Sequence, residues 1–279
     1  MRGLIDTHTH LQFRDFDKDR EEALERAWQA GLEVVVVLGV DAASSEAAIA
    51  LADAHPRVHP TVGCHPNLAA RLDREGWRRL QELTQHPRVV AVGEIGLDFY
   101  RNLSPRDDQL RVLEEELALA AERRLPVSVH CRDAHTEMYP ALRRWAEEVR
   151  PLFGEGRLLG VMHYFSGDLG LARRYVDMGF LISVHTCVTY PASNGLREVV
   201  AGLDMDYLVL ETDSPYGAPQ SQRGRRNEPA YVAETAMCVA DLRGLPAETV
   251  ARRTGENAAR LFGPRLGPAS AGSRKGMAW

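Results

Sequence analysis

The sequence predicts a single (β/α)8 barrel, and three observations carry that expectation. Eight short apolar runs recur along the chain, helical stretches separate them, and 279 residues suit one barrel of about 250 residues as well as two small domains. The runs lie at 4–7, 34–39, 58–63, 89–92, 127–129, 158–162, 180–184 and 207–210. They are near-continuously hydrophobic rather than alternating, as strands covered on both faces are.

Taken in order, the first run is followed by a helix over 19–30 that closes on Gly31, and the second by a helix over 44–54 with Ser44 as its cap candidate. No helix is assigned between the third and fourth runs. Ser104-Pro105 introduces a long helix over 106–123, dense in helix formers. Further helices are expected over 134–149, 169–178, 195–201, 228–242 and 247–261. The barrel accordingly spans 1–262, and the Gly, Pro, Ala and Ser-rich stretch 263–279 reads as a disordered tail.

Bulk composition narrows the function classes. A net charge of -5 gives no general attraction for nucleic acid, so a polyanionic substrate would be held by a local feature or a metal. Cys64, Cys131, Cys187 and Cys238 are scattered with no Cys-x-x-Cys pair, which speaks for reduced thiols and against a zinc knuckle. No apolar run approaches the roughly 20 residues of a membrane span, and no leader-like segment opens the chain. A cytoplasmic protein without membrane association is expected.

In barrels of this type the site sits at the C-terminal strand ends, and the residues there are rich in metal ligands. The first strand ends in His8-Thr9-His10, whose two imidazoles project to one side. The third ends in Cys64-His65-Pro66, the fourth in Gly93-Glu94 running on to Asp98, and the fifth in His130-Cys131-Arg132-Asp133. His163 follows the sixth, His185 the seventh, and Glu211-Thr212-Asp213 the eighth. Chemically, His8, His10, Asp213 and one oxygen of Glu94 make one site, and the other Glu94 oxygen with His130 and His163 makes a second. Two ions bridged by a carboxylate about 3.5 to 4 Å apart clamp the attacking and leaving oxygens of a hydrolytic displacement. A carboxylated lysine cannot be the bridge, because the only lysines, Lys18 and Lys275, lie far from any strand end.

With these motifs in view, the chain resembles the TatD family of metal-dependent hydrolases, among the amidohydrolase-like barrels. The matching stretches are Ile5-Asp6-Thr7-His8-Thr9-His10, Gly63-Cys64-His65-Pro66, Gly93-Glu94-Ile95-Gly96-Leu97-Asp98-Phe99-Tyr100, His163-Tyr164-Phe165-Ser166-Gly167, Glu211-Thr212-Asp213-Ser214-Pro215-Tyr216, and the segments 126–134 and 223–229. The resemblance implies a divalent-metal barrel and, for several members, removal of nucleotides from DNA 3′ ends; some relatives deacylate aminoacylated tRNA. It also implies that His8, His10, Glu94, His130, His163 and Asp213 bind metal. Asp213 is the candidate to orient the attacking water and take its proton, with Glu94 as its catalytic companion. An ion lowers the pKa of bound water from about 15.7 to about 7, so no strong protein base is required.

Several residues have two readings. His65 is expected to face the substrate rather than an ion, or else to be a structural loop histidine. Arg132 either grips a phosphate or pairs with a nearby acid. Arg223, with Arg225 and Arg226, either tracks a phosphodiester backbone or belongs to a solvated loop ordered by Asn227 and Glu228. Glu211 is placed to hold the ring of a ligating histidine. Departures from the family pattern are Asn67 where another histidine is frequent, Tyr164 in place of cysteine, and His185 within Ser183-Val184-His185-Thr186. His185 is a private substrate contact or a rim histidine with no role.

The expected function is hydrolysis of a phosphodiester with two divalent ions (Zn²⁺, Mn²⁺ or Mg²⁺), at single-stranded or frayed DNA ends, with RNA or tRNA as further possible substrates. The rival within enzymes is ester hydrolysis, including deacylation of aminoacyl-tRNA. A histidinol-phosphatase-like phosphoesterase would want a histidine in its closing Asp-x-His motif, and none follows His185. A non-catalytic metal-binding scaffold would have lost ligands, whereas all six positions are filled.

Overall fold

In the computed structural model, which describes residues 1–154 and 156–266, strand pairing follows chain order without exception. The strands are β1 (Leu4–Thr9), β2 (Leu32–Leu38), β3 (Val58–Val62), β4 (Ala91–Asp98), β5 (Val127–Arg132), β6 (Gly160–Met162), β7 (Phe180–His185) and β8 (Leu208–Glu211). Every pairing is parallel. The helices are α1 (Arg20–Gln29), α2 (Ala42–Ala54), α3 (Arg74–Leu83), α4 (Arg106–Arg123), α5 (His135–Phe153), α6 (Leu169–Asp177), α7 (Asn194–Gly202), α8 (Val232–Arg243) and α9 (Ala247–Phe262). This is the expected (β/α)8 barrel. Among the described residues no helix is long and apolar enough to cross a membrane.

Closure between β8 and β1 rests on a few specific bonds. The Asp213 amide donates to the His8 carbonyl (2.9 Å), and the His10 amide to the Ser214 carbonyl (2.7 Å). Beneath them the Thr7 hydroxyl donates to the Leu210 carbonyl (3.0 Å). Buried Asp6 accepts from the Thr212 amide (3.0 Å) and hydroxyl (2.6 Å) and from the His8 amide (3.3 Å). Burial pushes the Asp6 carboxyl well above its ordinary range, against those bonds. The bonds that close the barrel therefore also place His8, His10 and Asp213.

Alternation along each strand divides the interior from the helix-facing layer. In β5, Val127, Val129 and Cys131 join the large core beneath the helices, leaving Ser128, His130 and Arg132 on the other face. Lower in the barrel the inward residues are apolar: Ile5, Val34, Val36, Val161, Leu181 and Val209 cluster with Ala258, Leu261 and Phe262 of α9. Helix α9 lies across the N-terminal strand ends. Asn257 donates to the Met205 and Leu208 carbonyls (2.7 and 2.8 Å), and a Cβ on Gly255 would stand 1.9 Å from the Gly3 carbonyl oxygen. Helix α9 thus covers the N-terminal end of the barrel, opposite the mouth.

Some elements differ from expectation. Helix α3 carries the signals of an N-terminus in Asp73, whose carboxylate accepts from the Gly76 amide (2.8 Å), and of a buried stripe in Trp77, Leu80 and Leu83 at a spacing of three. Its charge density hides it, since only Leu80 is fully covered. The cap of α2 is Asp41, three residues before Ser44, and the two exchange capping-box bonds. Strand β4 runs on through Glu94 to Asp98. Helix α8 begins at Val232, after a short turn over Pro229–Tyr231. The expected tail contains structure at its start: Gly263–Leu266 form a 3-10 turn and Leu266 is buried in the floor cluster, while 267–279 lie outside the described residues.

Candidate metal centre

At the mouth, Glu94 sits at the middle of a ring of imidazoles, and its two oxygens face different partners. Oε2 lies 3.4 Å from His8 Nε2 and 3.5 Å from His10 Nε2. Oε1 lies 2.9 Å from His130 Nδ1 and 3.6 Å from both His163 Nε2 and His65 Nε2. Asp213 Oδ1 faces His10, His8 and His163 at 3.5, 3.7 and 3.9 Å. His8 and His163 stack with ring centroids 3.3 Å apart. All six expected ligand positions converge. Three overlapping donor groups result: His8–His10–Asp213, His8–Glu94–His163 and His65–Glu94–His130.

Polar groups on the far side of His10, His163, His130 and His65 bias their tautomers, whereas His8 Nδ1 is buried with no hydrogen-bond partner among the described residues. His10 Nδ1 donates to the Leu38 carbonyl (3.1 Å), which leaves Nε2 a lone pair aimed into the ring. His163 Nδ1 lies 3.0 Å from Glu211 Oε2, leaving its Nε2 equally free, as expected of Glu211. His130 stands between Glu94 at Nδ1 and Asp98 Oδ2 at Nε2 (3.4 Å). His65 differs. Its Nδ1 accepts the Asn67 amide (3.1 Å), which puts the proton on Nε2 and makes that atom a donor into the cavity rather than a ligand.

The donor set fits cations on electrostatic grounds. Glu94, Asp98, Glu211 and Asp213 crowd one small volume, and among the described residues none of these carboxylates pairs with lysine or an arginine side chain. Buried negative charge without compensation is costly, so positive charge must come from protonated imidazoles or from metal. Burial disfavours the charged form of His163, yet Glu211, Asp213 and Glu94 outweigh it and push the ring up to about 9. Burial would likewise raise Glu94, but His65, His8 and His130 hold it well below its usual range. Burial lowers His65 to about 3, consistent with a neutral ring.

Asp213 is held at φ +59°, in the left-handed region that favours glycine. Fully buried Asn227 pins its loop: the side-chain amide donates to the Thr212 and Tyr216 carbonyls (2.8 and 2.6 Å), and its own amide to the Pro215 carbonyl (3.0 Å).

Above the ring opens a cavity of about 590 Å³. His65, Arg101 and Arg132 line it on the β3–β5 side, Phe13, Tyr164 and Tyr216 on the other. Arg132 makes no ion pair among the described residues; its guanidinium lies 3.9 Å over the Tyr100 ring. Arg223 is exposed on the loop after β8, outside the cavity lining. Arg226 is engaged by Asp19 (2.6 Å) and Glu228 (2.9 Å), which Arg26 also grips, so this member of the basic cluster ties α1 to the β8–α8 loop. His185 caps a short turn by accepting the Cys187 amide (3.2 Å) and stacks on Tyr164 at 3.6 Å, outside the lining, which favours the structural reading.

Sequence reasoning missed Asp98, Arg101 and Asn227 as contributors. A period-two count along β4 from Glu94 places Asp98 on the same face, a usable signal. Arg101 and Asn227 lie on loops, where no periodicity points inward.

A barrel with histidines and carboxylates converging at its mouth is the arrangement of a metal-dependent hydrolase. The family model described as TatD related DNase matches residues 5–263, and the chain belongs to that family. It is 37% identical over 259 residues to an uncharacterized metal-dependent hydrolase, YabD, of Bacillus subtilis, covering 93% of this chain and 98% of that one. It is 34% identical over 265 residues to the 3′-5′ ssDNA/RNA exonuclease TatD of Erwinia tasmaniensis, covering 93% and 99%. The crystal structure of YjjV, a TatD homolog from Escherichia coli K12, superposes with a TM-score of 0.86 at 34% identity, covering 93% and 98%.

Proposed function

We propose that this protein is a phosphodiesterase that removes nucleotides from the 3′ ends of single-stranded DNA, using two divalent ions drawn from Zn²⁺, Mn²⁺ and Mg²⁺. The observation that carries the reading is the placement of Glu94, with each oxygen facing its own imidazoles, under a cavity whose unpaired cations are Arg101 and Arg132. A relative named as a 3′-5′ ssDNA/RNA exonuclease supports it. His8, His10, Glu94, His130, His163 and Asp213 would hold the ions, which when bound supply Lewis acidity and activate water.

The chain's own groups divide the remaining work. Asp213, 14% exposed against 3% for Glu94, is the carboxylate that water reaches, and it orients the attacking water and accepts its proton. Arg132, stiffened by stacking on Tyr100, and Arg101 offer forked donors to the scissile phosphate. The His65 Nε2–H donates to a phosphoryl oxygen. Glu211 and Asp98 hold the rings of His163 and His130.

A cavity at the mouth of a barrel whose opposite end α9 covers favours chain ends over continuous duplex. Single strands with free and blocked 3′ ends, digested with Mg²⁺ or Mn²⁺, test this: the free end should be shortened stepwise and the blocked one spared. Equal cleavage of a closed circle would refute the end requirement, and preference for an aminoacyl ester would favour deacylation instead.

A further inference from the structure

From the cavity wall outward, the rim over β4 and β5 carries two arginine-on-aromatic pairs. Arg132 covers Tyr100 at 3.9 Å, and Arg106, the first residue of α4, covers Phe99 at 4.1 Å. The backbone joins them, because the Phe99 amide donates to the Arg132 carbonyl (2.9 Å). The strip is continuous with the cavity through Arg101, Leu103 and Arg132, which line its wall. Tyr100 is 62% and Leu103 69% exposed, the two largest exposures among the large apolar side chains of the described residues. Across 99–106 there are two arginines and no acid. Acids flank the strip, with Asp98 before it and Asp107 and Asp108 after it; Glu137 stands 3.9 Å from Arg106, and exposed Asp133 follows Arg132 in the chain.

Elsewhere at the mouth Arg226 lies over Phe16 at 4.3 Å, but that ring is fully buried and offers no face to a base. In 14–20 the cations Arg14, Lys18 and Arg20 are matched by Asp15, Asp17 and Asp19. Arg223 and Arg225 are exposed, but among the described residues neither guanidinium lies over an aromatic ring or lines the cavity. Alternating cations and stackable faces are what a single nucleic-acid strand needs: phosphates are met by guanidinium, bases by ring planes.

We infer that the strip Tyr100–Phe99–Arg106, which begins beside Arg132 at the cavity wall, is the track along which a single-stranded substrate leaves the cavity, binding the nucleotides beyond the scissile one. The inference rests on the phosphodiesterase reading and adds to it a direction and a length dependence.

The test is fluorescence anisotropy with labelled oligothymidylates in the Asp213→Asn background, comparing a strand of about 20 nucleotides with one of about 3. Arg106→Ala should weaken binding of the long strand roughly five-fold, leave the short one unchanged, and reduce the long strand's salt slope by about 0.7, one phosphate contact. Tyr100→Ala should weaken the long strand roughly ten-fold through lost stacking. Equal effects on both lengths would overturn the track, as would length-dependent loss from Arg223→Ala or Arg225→Ala with none from Arg106→Ala. Turnover of the unmodified enzyme on the long strand separates the two ideas: strand binding along the rim without phosphodiester cleavage would refute the activity and not the track.

Discussion

The floor and the mouth of this barrel lie at opposite ends of the same eight strands, and they differ in what the strands and the segments joined to them bring inward. Below, Ile5, Val36, Val161, Leu181 and Val209 meet Leu261 and Phe262, and each removes apolar surface from water at about 25 cal/mol per Å². Above, Glu94, Asp98, Glu211 and Asp213 are gathered with, among the described residues, no lysine or arginine side chain to neutralise them, so protonated imidazoles or metal must balance their charge. The floor holds the fold together, and the mouth uses that stability to keep buried charge in place.

Substitutions at the two levels should therefore separate stability from turnover. The largest effect is expected from Asp213→Asn, which should lower kcat by roughly 10²–10⁴-fold while leaving the thermal midpoint of the metal-free protein unchanged or higher. Retained activity would remove Asp213 from its role. At the floor, Phe262→Ala should cost about 3–5 kcal/mol in denaturant unfolding with kcat per folded molecule preserved. Loss of turnover without loss of stability there would erase the contrast. Asp98→Asn, which frees the far side of the His130 ring, should weaken metal binding or activity roughly 10–100-fold, measurable by isothermal titration.

The pH dependence of the metal-free protein sharpens the same contrast. His163 is raised from about 6.5 to about 9 in the fold, so its protonation stabilises the folded state fully below about 6.5, and that contribution is lost as pH rises through about 9. Melting midpoints of metal-free protein should fall across that window, and Zn²⁺ or Mn²⁺ should flatten the decline by replacing the proton's charge. An equally steep decline with metal would argue against cations in the ring. The smallest of these effects belongs to Arg132→Ala, expected to raise KM for single-stranded DNA roughly ten-fold with kcat little changed.

Much of this was legible in the residues because it depends on short-range pattern. Buried parallel strands announce themselves as unbroken apolar runs, and ligands at the ends of such runs must converge once the barrel closes. Helix α3 was hidden because only Leu80 of its ten residues is fully covered, so its pattern is mostly charge. The extent of β4 was hidden because the apolar signal is interrupted by Gly93 and Glu94, the residues that build the site. Loop contributions were the least readable. Nothing local says that Asn227 reaches back to Thr212, or that Arg226 is engaged by Asp19, more than two hundred residues away. The tautomer of His65 likewise depends on one amide, that of Asn67, which only the turned chain can supply.

Glu94 turns one oxygen toward His8 and His10 and the other toward His130 and His163, so under the proposed function it would serve two cations, and a metal titration of the metal-free protein followed by both stoichiometry and single-strand cleavage tests this most directly. Two equivalents per chain should bind, with full turnover appearing only as the second is taken up, and Glu94→Gln should abolish that second phase. Full activity at one equivalent, or two-equivalent behaviour unchanged in Glu94→Gln, would contradict it.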